Sequence, residues 1–160
     1  MKNKELALLI GVGLVAAGVY MLWPRESKAK EIETDWMKIA DKYSNAFGID
    51  PALVKAIIMV ESSGRPWVSR KEDGYFSYGL MGVTYPTAVD MGYTGSPSGL
   101  FDPEINVFYG CKYLRWLADR PHIDTLEKLI AAYNAGPDLQ PWPSEYIKKV
   151  KEQMRRFSNE

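Results

Sequence analysis

Two hydrophobic patterns follow one another along the chain. Leu6 to Trp23 is an uncharged run of 18 residues with no polar face. As a helix it is about 27 Å long, against the ~30 Å hydrocarbon core of a bilayer. From Asp35 onward the apolar positions instead recur every three or four residues, the spacing of amphipathic helices. Trp36, Ile39, Ala40, Tyr43 and Phe47 form one stripe, ended by Gly48. Asp50-Pro51 supplies a cap and a first-turn proline for a second stripe, Leu53, Val54, Ile57 and Ile58, which closes at Ser62-Ser63-Gly64. A Gly-rich irregular stretch then runs to about Thr84, and a short helix is expected over Pro86 to Met91. Asp102-Pro103 opens a long helix through Val107, Cys111, Leu114 and Ala118, stopped by Arg120-Pro121. Asp124 and Glu127 have capping-box spacing for a helix carrying Leu126, Leu129, Ile130 and Tyr133, which ends at Gly136-Pro137. Ser144 caps a last helix with Ile147, Val150, Met154 and Phe157. No long run of strict alternation appears, so the expected class is all-α.

The first pattern reads as an anchor. A secretory signal has an apolar core of about 7–15 residues, shorter than this run. Tyr20 and Trp23 suit a membrane interface, and basic residues on both sides leave the orientation open. The expected organisation is a tail (1–5), a single transmembrane helix held in a lipid bilayer (6–23), a polar tether (24–34) and one folded domain (35–160).

Composition narrows the function. Lys and Arg total 20 and Asp and Glu total 20, which argues against nucleic acid as the main partner because phosphate binding needs surplus cations. One cysteine and one histidine exclude an internal disulfide framework and a His/Cys zinc cage, so no metal or cofactor is expected. Ten tyrosines and five tryptophans suit stacking on flat apolar faces.

Glu61 stands out. It lies four residues after Ile57 and seven after Val54, continuing the buried stripe, and in the last turn before Gly64. Burial and the helix dipole both favour its protonated form there, which is what a general acid for glycosidic cleavage requires. On spacing alone, a glutamate that snorkels from the helix end or pairs with Arg65 or Arg70 fits as well.

Five blocks in order change that balance: ALVKAIIMVESSGRP (52–66), YGLMGVTYPTA (78–88), LFDPEINVFYGCKYLRWL (100–117), LIAAYNAGP (129–137) and SEYIKKV (144–150). Together they resemble the SLT-type lytic transglycosylases, a family with a lysozyme-like fold that cuts peptidoglycan. The resemblance implies that Glu61 is the acid and then the base for cleavage between N-acetylmuramic acid and N-acetylglucosamine. The muramyl 6-hydroxyl closes the ring, leaving a 1,6-anhydro end. It further implies that Ser62 helps hold acid and substrate, that Met81 lines the sugar groove, and that Tyr133 hydrogen-bonds the carboxyl. Asn134 is implied to face the substrate, and Tyr146 to stand near the groove. One departure is plain: the family's Gly-Leu-Met-Gln block reads Gly79-Leu80-Met81-Gly82 here.

Asp73 is the best second carboxylate; paired with Glu61 it would make a hydrolase similar to the goose-type lysozymes, although an aspartate before Gly74 also suits a solvated turn. A catalytically weak wall-binding protein of the same fold is the further alternative. The implied partner is the peptidoglycan glycan strand, with the domain facing the wall from a cell membrane or a phage virion membrane.

Overall fold

The computed structural model describes residues 14–15, 18–19, 25–72, 74–138 and 140–159. The chain divides into two units, Met1–Thr34 and Asp35–Glu160. In the first, two short strands, β1 (Leu14–Val15) and β2 (Gly18–Val19), pair antiparallel. Most of the expected transmembrane helix (6–23) lies outside the described residues. The four residues of it that are described are extended, not helical, and among the described residues no helix is long and apolar enough to cross a membrane. Within the expected tether (24–34), residues from Arg25 on are helical, as the start of helix α1 (Arg25–Phe47). Residues 25–33, Arg-Glu-Ser-Lys-Ala-Lys-Glu-Ile-Glu, are mostly strong helix formers, and no Gly or Pro interrupts them.

The second unit is mostly helical. α2 (Pro51–Ser62) lies at its centre, with Leu53, Val54, Ala56, Ile57 and Ile58 all buried. Asp50 caps it as the sequence predicts, its side chain accepting from Ala52 N at 2.8 Å. Each large side chain enclosed in this way contributes about 1.5–3 kcal/mol. α4 (Pro103–Ala118) turns Val107, Cys111, Leu114 and Leu117 inward, capped by Asp102, which accepts from Ile105 N at 3.0 Å. Burial pushes the Cys111 thiol up to about 12. α5 (Leu126–Ala135) begins at Thr125, which accepts from Lys128 N at 3.2 Å and takes the capping place expected of Asp124. α6 (Ser144–Phe157) packs along α2 and α5 and buries Val150.

The all-α expectation needs one amendment. β3 (Ser69–Glu72), β4 (Tyr75–Tyr78) and β5 (Val83–Thr84) form a three-stranded antiparallel sheet in that order, with Arg70 opposite Ser77 and Tyr78 opposite Val83. α3 (Tyr85–Asp90) follows directly, capped by Thr84. A 3-10 turn over Pro97–Phe101 leads into α4.

Candidate active site

α2 delivers Glu61 to the surface one residue before its end. The chain reverses there through Ser63, in the left-handed conformation at φ 54°, with its N–H returned to Met59 O. Glu61 is half-buried, and the hydroxyl of Tyr146 on α6 donates to its Oε1 at 2.6 Å.

Residues 79–82 form the other support. Ser62 is fully buried, and its hydroxyl lies 3.0 Å from Ile58 O and 2.8 Å from Leu80 O, joining the end of α2 to this turn. Asn106 on α4 completes it. This buried amide donates through Nδ2 to Tyr78 O (2.7 Å) and Leu100 O (2.8 Å), and its Oδ1 accepts from Met81 N (2.8 Å). A buried amide satisfied on both ends fixes the backbone around it. The turn also depends on glycine. A Cβ on Gly79 (φ 71°) would sit 2.5 Å from Asn106 Nδ2, and one on Gly82 (φ 61°) would sit 2.7 Å from Glu61 Oε2. Gly82, the departure from the family block, is thus where the backbone lies directly against the carboxyl.

The predicted site residues divide. Glu61, Tyr133 and Asn134 meet at a narrow cavity of about 60 Å³, together with Gly82, Thr84, Thr87 and Tyr113. Glu61, Asn134 and Tyr146 also border a wider concavity of about 420 Å³ on the α6 side. Glu61 and Asn134 are therefore common to both halves of one trough.

Three residues differ from their expected placement. Ser62 is enclosed, and its hydroxyl joins the end of α2 to the 79–82 turn through the carbonyl oxygens of Ile58 and Leu80. Met81 has no exposed surface; the 79–82 turn aims its side chain at Gly110 on α4, and only its backbone serves the site. Tyr133 donates to Met81 O at 2.8 Å, and the hydroxyl on Glu61 Oε1 is that of Tyr146. Burial, and then the charge of Glu61, hold the Tyr133 phenol well above its ordinary value, so it remains a donor. Asp73 lies outside the described residues. Asn106, Thr84 and Thr87 were not singled out from sequence. Asn106 falls in the first turn after the Asp102-Pro103 cap, a position whose polar residue inside an apolar stripe was the available signal.

Among the described residues no group of three or more His, Cys, Asp or Glu side chains is placed to hold a metal ion. Among the described residues, the chemistry on offer is that of one carboxyl, Glu61, to which the Tyr146 phenol donates.

A family model described as the transglycosylase SLT domain matches residues 38–154, well over half of the chain. Relatives named endo-type membrane-bound lytic murein transglycosylase A are similar in sequence. The one from Cronobacter sakazakii is 42% identical over 86 residues, covering 49% of this chain and 41% of its own length. The one from an Enterobacter species is 33% identical over 132 residues, covering 73% of this chain and 64% of its own. The chain thus spans about two fifths to two thirds of the length of these relatives. Among solved structures, an inactive mutant of the lytic transglycosylase Slt from Pseudomonas aeruginosa superposes with a TM-score of 0.55 at 19% identity, over 74% of this chain and 21% of that one. That likeness is one of fold, and the fold is lysozyme-like.

Proposed function

The chain belongs to the transglycosylase SLT domain family, and from that membership we propose that it cleaves peptidoglycan strands between N-acetylmuramic acid and N-acetylglucosamine without adding water. The observation that carries the reading is the Glu61 carboxyl at the junction of the two concavities, with Tyr146 donating to Oε1 at 2.6 Å. In its acid form Glu61 carries the proton to be transferred. Glu61 gives that proton to the bridging oxygen as the bond from it to muramyl C1 breaks. The same carboxylate then takes the proton of the muramyl 6-hydroxyl as the new bond from O6 to C1 forms. One protein carboxylate suffices because the substrate supplies the nucleophile. Asn134, exposed and shared by both halves of the trough, is positioned to hydrogen-bond sugar on either side of the cut. The names of the relatives support work at a membrane facing the wall, and the apolar residues 6–23 are the segment that would hold the enzyme there.

Mass spectrometry of muropeptides released from purified peptidoglycan tests this. The expected product ends in 1,6-anhydromuramic acid, one water lighter than a hydrolysed end, and Glu61→Gln lowers its rate by about 10²–10⁴-fold while leaving thermal unfolding intact. Hydrolysed ends from the parent, or an unchanged rate in Glu61→Gln, would refute the assignment.

A further inference from the structure

Met81 immediately precedes Gly82, whose backbone lies against the Glu61 carboxyl. It is gripped at three points. Its N–H donates to Asn106 Oδ1 at 2.8 Å, and its carbonyl accepts from the Tyr133 hydroxyl at 2.8 Å. The third grip is apolar. The Met81 side chain has no exposed surface and lies on Gly110 of α4. A Cβ at Gly110 would sit 2.9 Å from Met81 Cε, 3.1 Å from its Cβ and closer still to its sulfur. Asn106 and Gly110 are four residues apart, so they stand one turn from each other on the same side of α4. One helix face therefore holds both the backbone and the side chain of Met81.

Nothing in the backbone requires glycine at 110. The residue is buried inside a regular helix, unlike Gly79 and Gly82, whose φ is positive. Alanine is the better helix former at such a position. What glycine supplies there is room. A methyl group would enter space that Met81 already fills, in an interior packed too closely for the sulfur to swing aside without moving its neighbours. We infer that Gly110 is a positioning residue for the acid: it is the socket for Met81, and the seated Met81 sets how closely the Gly82 backbone stands to Glu61. The effect on turnover rests on the cleavage proposed above; the fit of Met81 into the socket does not.

The experiment is a double-mutant cycle in the full chain: Gly110→Ala, Met81→Ala and the two together. Each is measured for release of anhydro-muropeptides and for the midpoint of denaturant unfolding. Gly110→Ala is expected to lower kcat by about 10–10²-fold with KM near the parent's, the scale of a small displacement at a reacting centre. Met81→Ala lowers kcat on its own account, but it clears the sulfur and its methyl from the socket. Adding Gly110→Ala to it is then expected to cost about twofold or less, and the two midpoint shifts are not additive. A glycine that served only the packing of α4 would lower the midpoint and leave kcat of the folded enzyme unchanged. Should Gly110→Ala fail to fold, folding of the double variant is the expected rescue, and its failure overturns the inference. A parent-like kcat in folded Gly110→Ala, or an equal loss with and without the Met81 side chain, overturns it as well. Absence of anhydro product from the parent overturns the cleavage reading instead, and additive midpoints would then overturn the socket separately.

Discussion

The two walls that meet at Glu61 are built in opposite ways. The wall of residues 79–82 is backbone, braced by buried side chains: Asn106 and Ser62 are enclosed and bonded, and Gly82 lies against the carboxyl with no room for a side chain. The wall of α6 and β3 is made of side-chain ends, with Arg70 and Lys149 exposed and Tyr146 half-buried. Enclosed, fully bonded groups move little, whereas long exposed side chains adapt at small cost. The first wall therefore fixes where the acid stands. The second is the wall whose exposed side chains can adapt.

Substitutions that remove one wall at a time sharpen this contrast. Asn106→Ala strips three hydrogen bonds and leaves buried backbone groups without them, for an expected loss of about 2–4 kcal/mol in denaturant unfolding. If its midpoint matched the parent's at equal slope, the braced-wall account would fail. Gly82→Ala places a Cβ against Oε2 in a left-handed backbone, at about 1–2 kcal/mol of stability. Its kcat is expected to fall at least about tenfold, with KM little changed, because the displaced group is the acid itself. Gly82→Gln, which restores the family's residue, is expected to behave the same way, and a gain in activity would show that the carboxyl is not confined by this wall. Tyr146→Phe removes the donor to Oε1 and should lower kcat/KM by about tenfold, with an unfolding midpoint close to the parent's.

The smallest effect concerns how the second wall is attached. Glu127 on α5 is ion-paired with Lys151 on α6, and hydrogen bonding to Lys151 holds its carboxyl below the ordinary 4.5. A carboxyl lowered by folding stabilises the fold above its unfolded value and loses that contribution as pH falls through the folded one. The parent and Glu127→Gln should therefore differ most in melting temperature above pH 4.5 and converge below it. A constant gap across that window would show that the pair does not tie the helices.

Local rules carried much of the fold. Asp50-Pro51 and Asp102-Pro103 start helices where their side chains can accept from the first turn, and both do. The stripe of α2 ran on to Glu61, so its place at the end of the buried face could be read from spacing, whereas its role could not. The sheet was missed because its strands are two to four residues long and Ser69, Arg70, Lys71, Tyr75 and Phe76 are all exposed. Without one buried face there is no alternation to read. The direction of Met81 was equally hidden. It follows from glycine conformations at 79 and 82 and from Asn106, a partner 25 residues away. Which tyrosine holds Glu61 is likewise a matter of long-range packing, since Tyr146 arrives from 85 positions downstream.

Cys111 gives this fold its own stopwatch. Its sulfur is sealed in the core of α4 and stays protonated through the physiological range. Alkylating reagents attack thiolates, so they find it only in molecules whose helices have parted. The rate of its modification then reports directly how often the interior opens, and a trough occupied by glycan would slow that count.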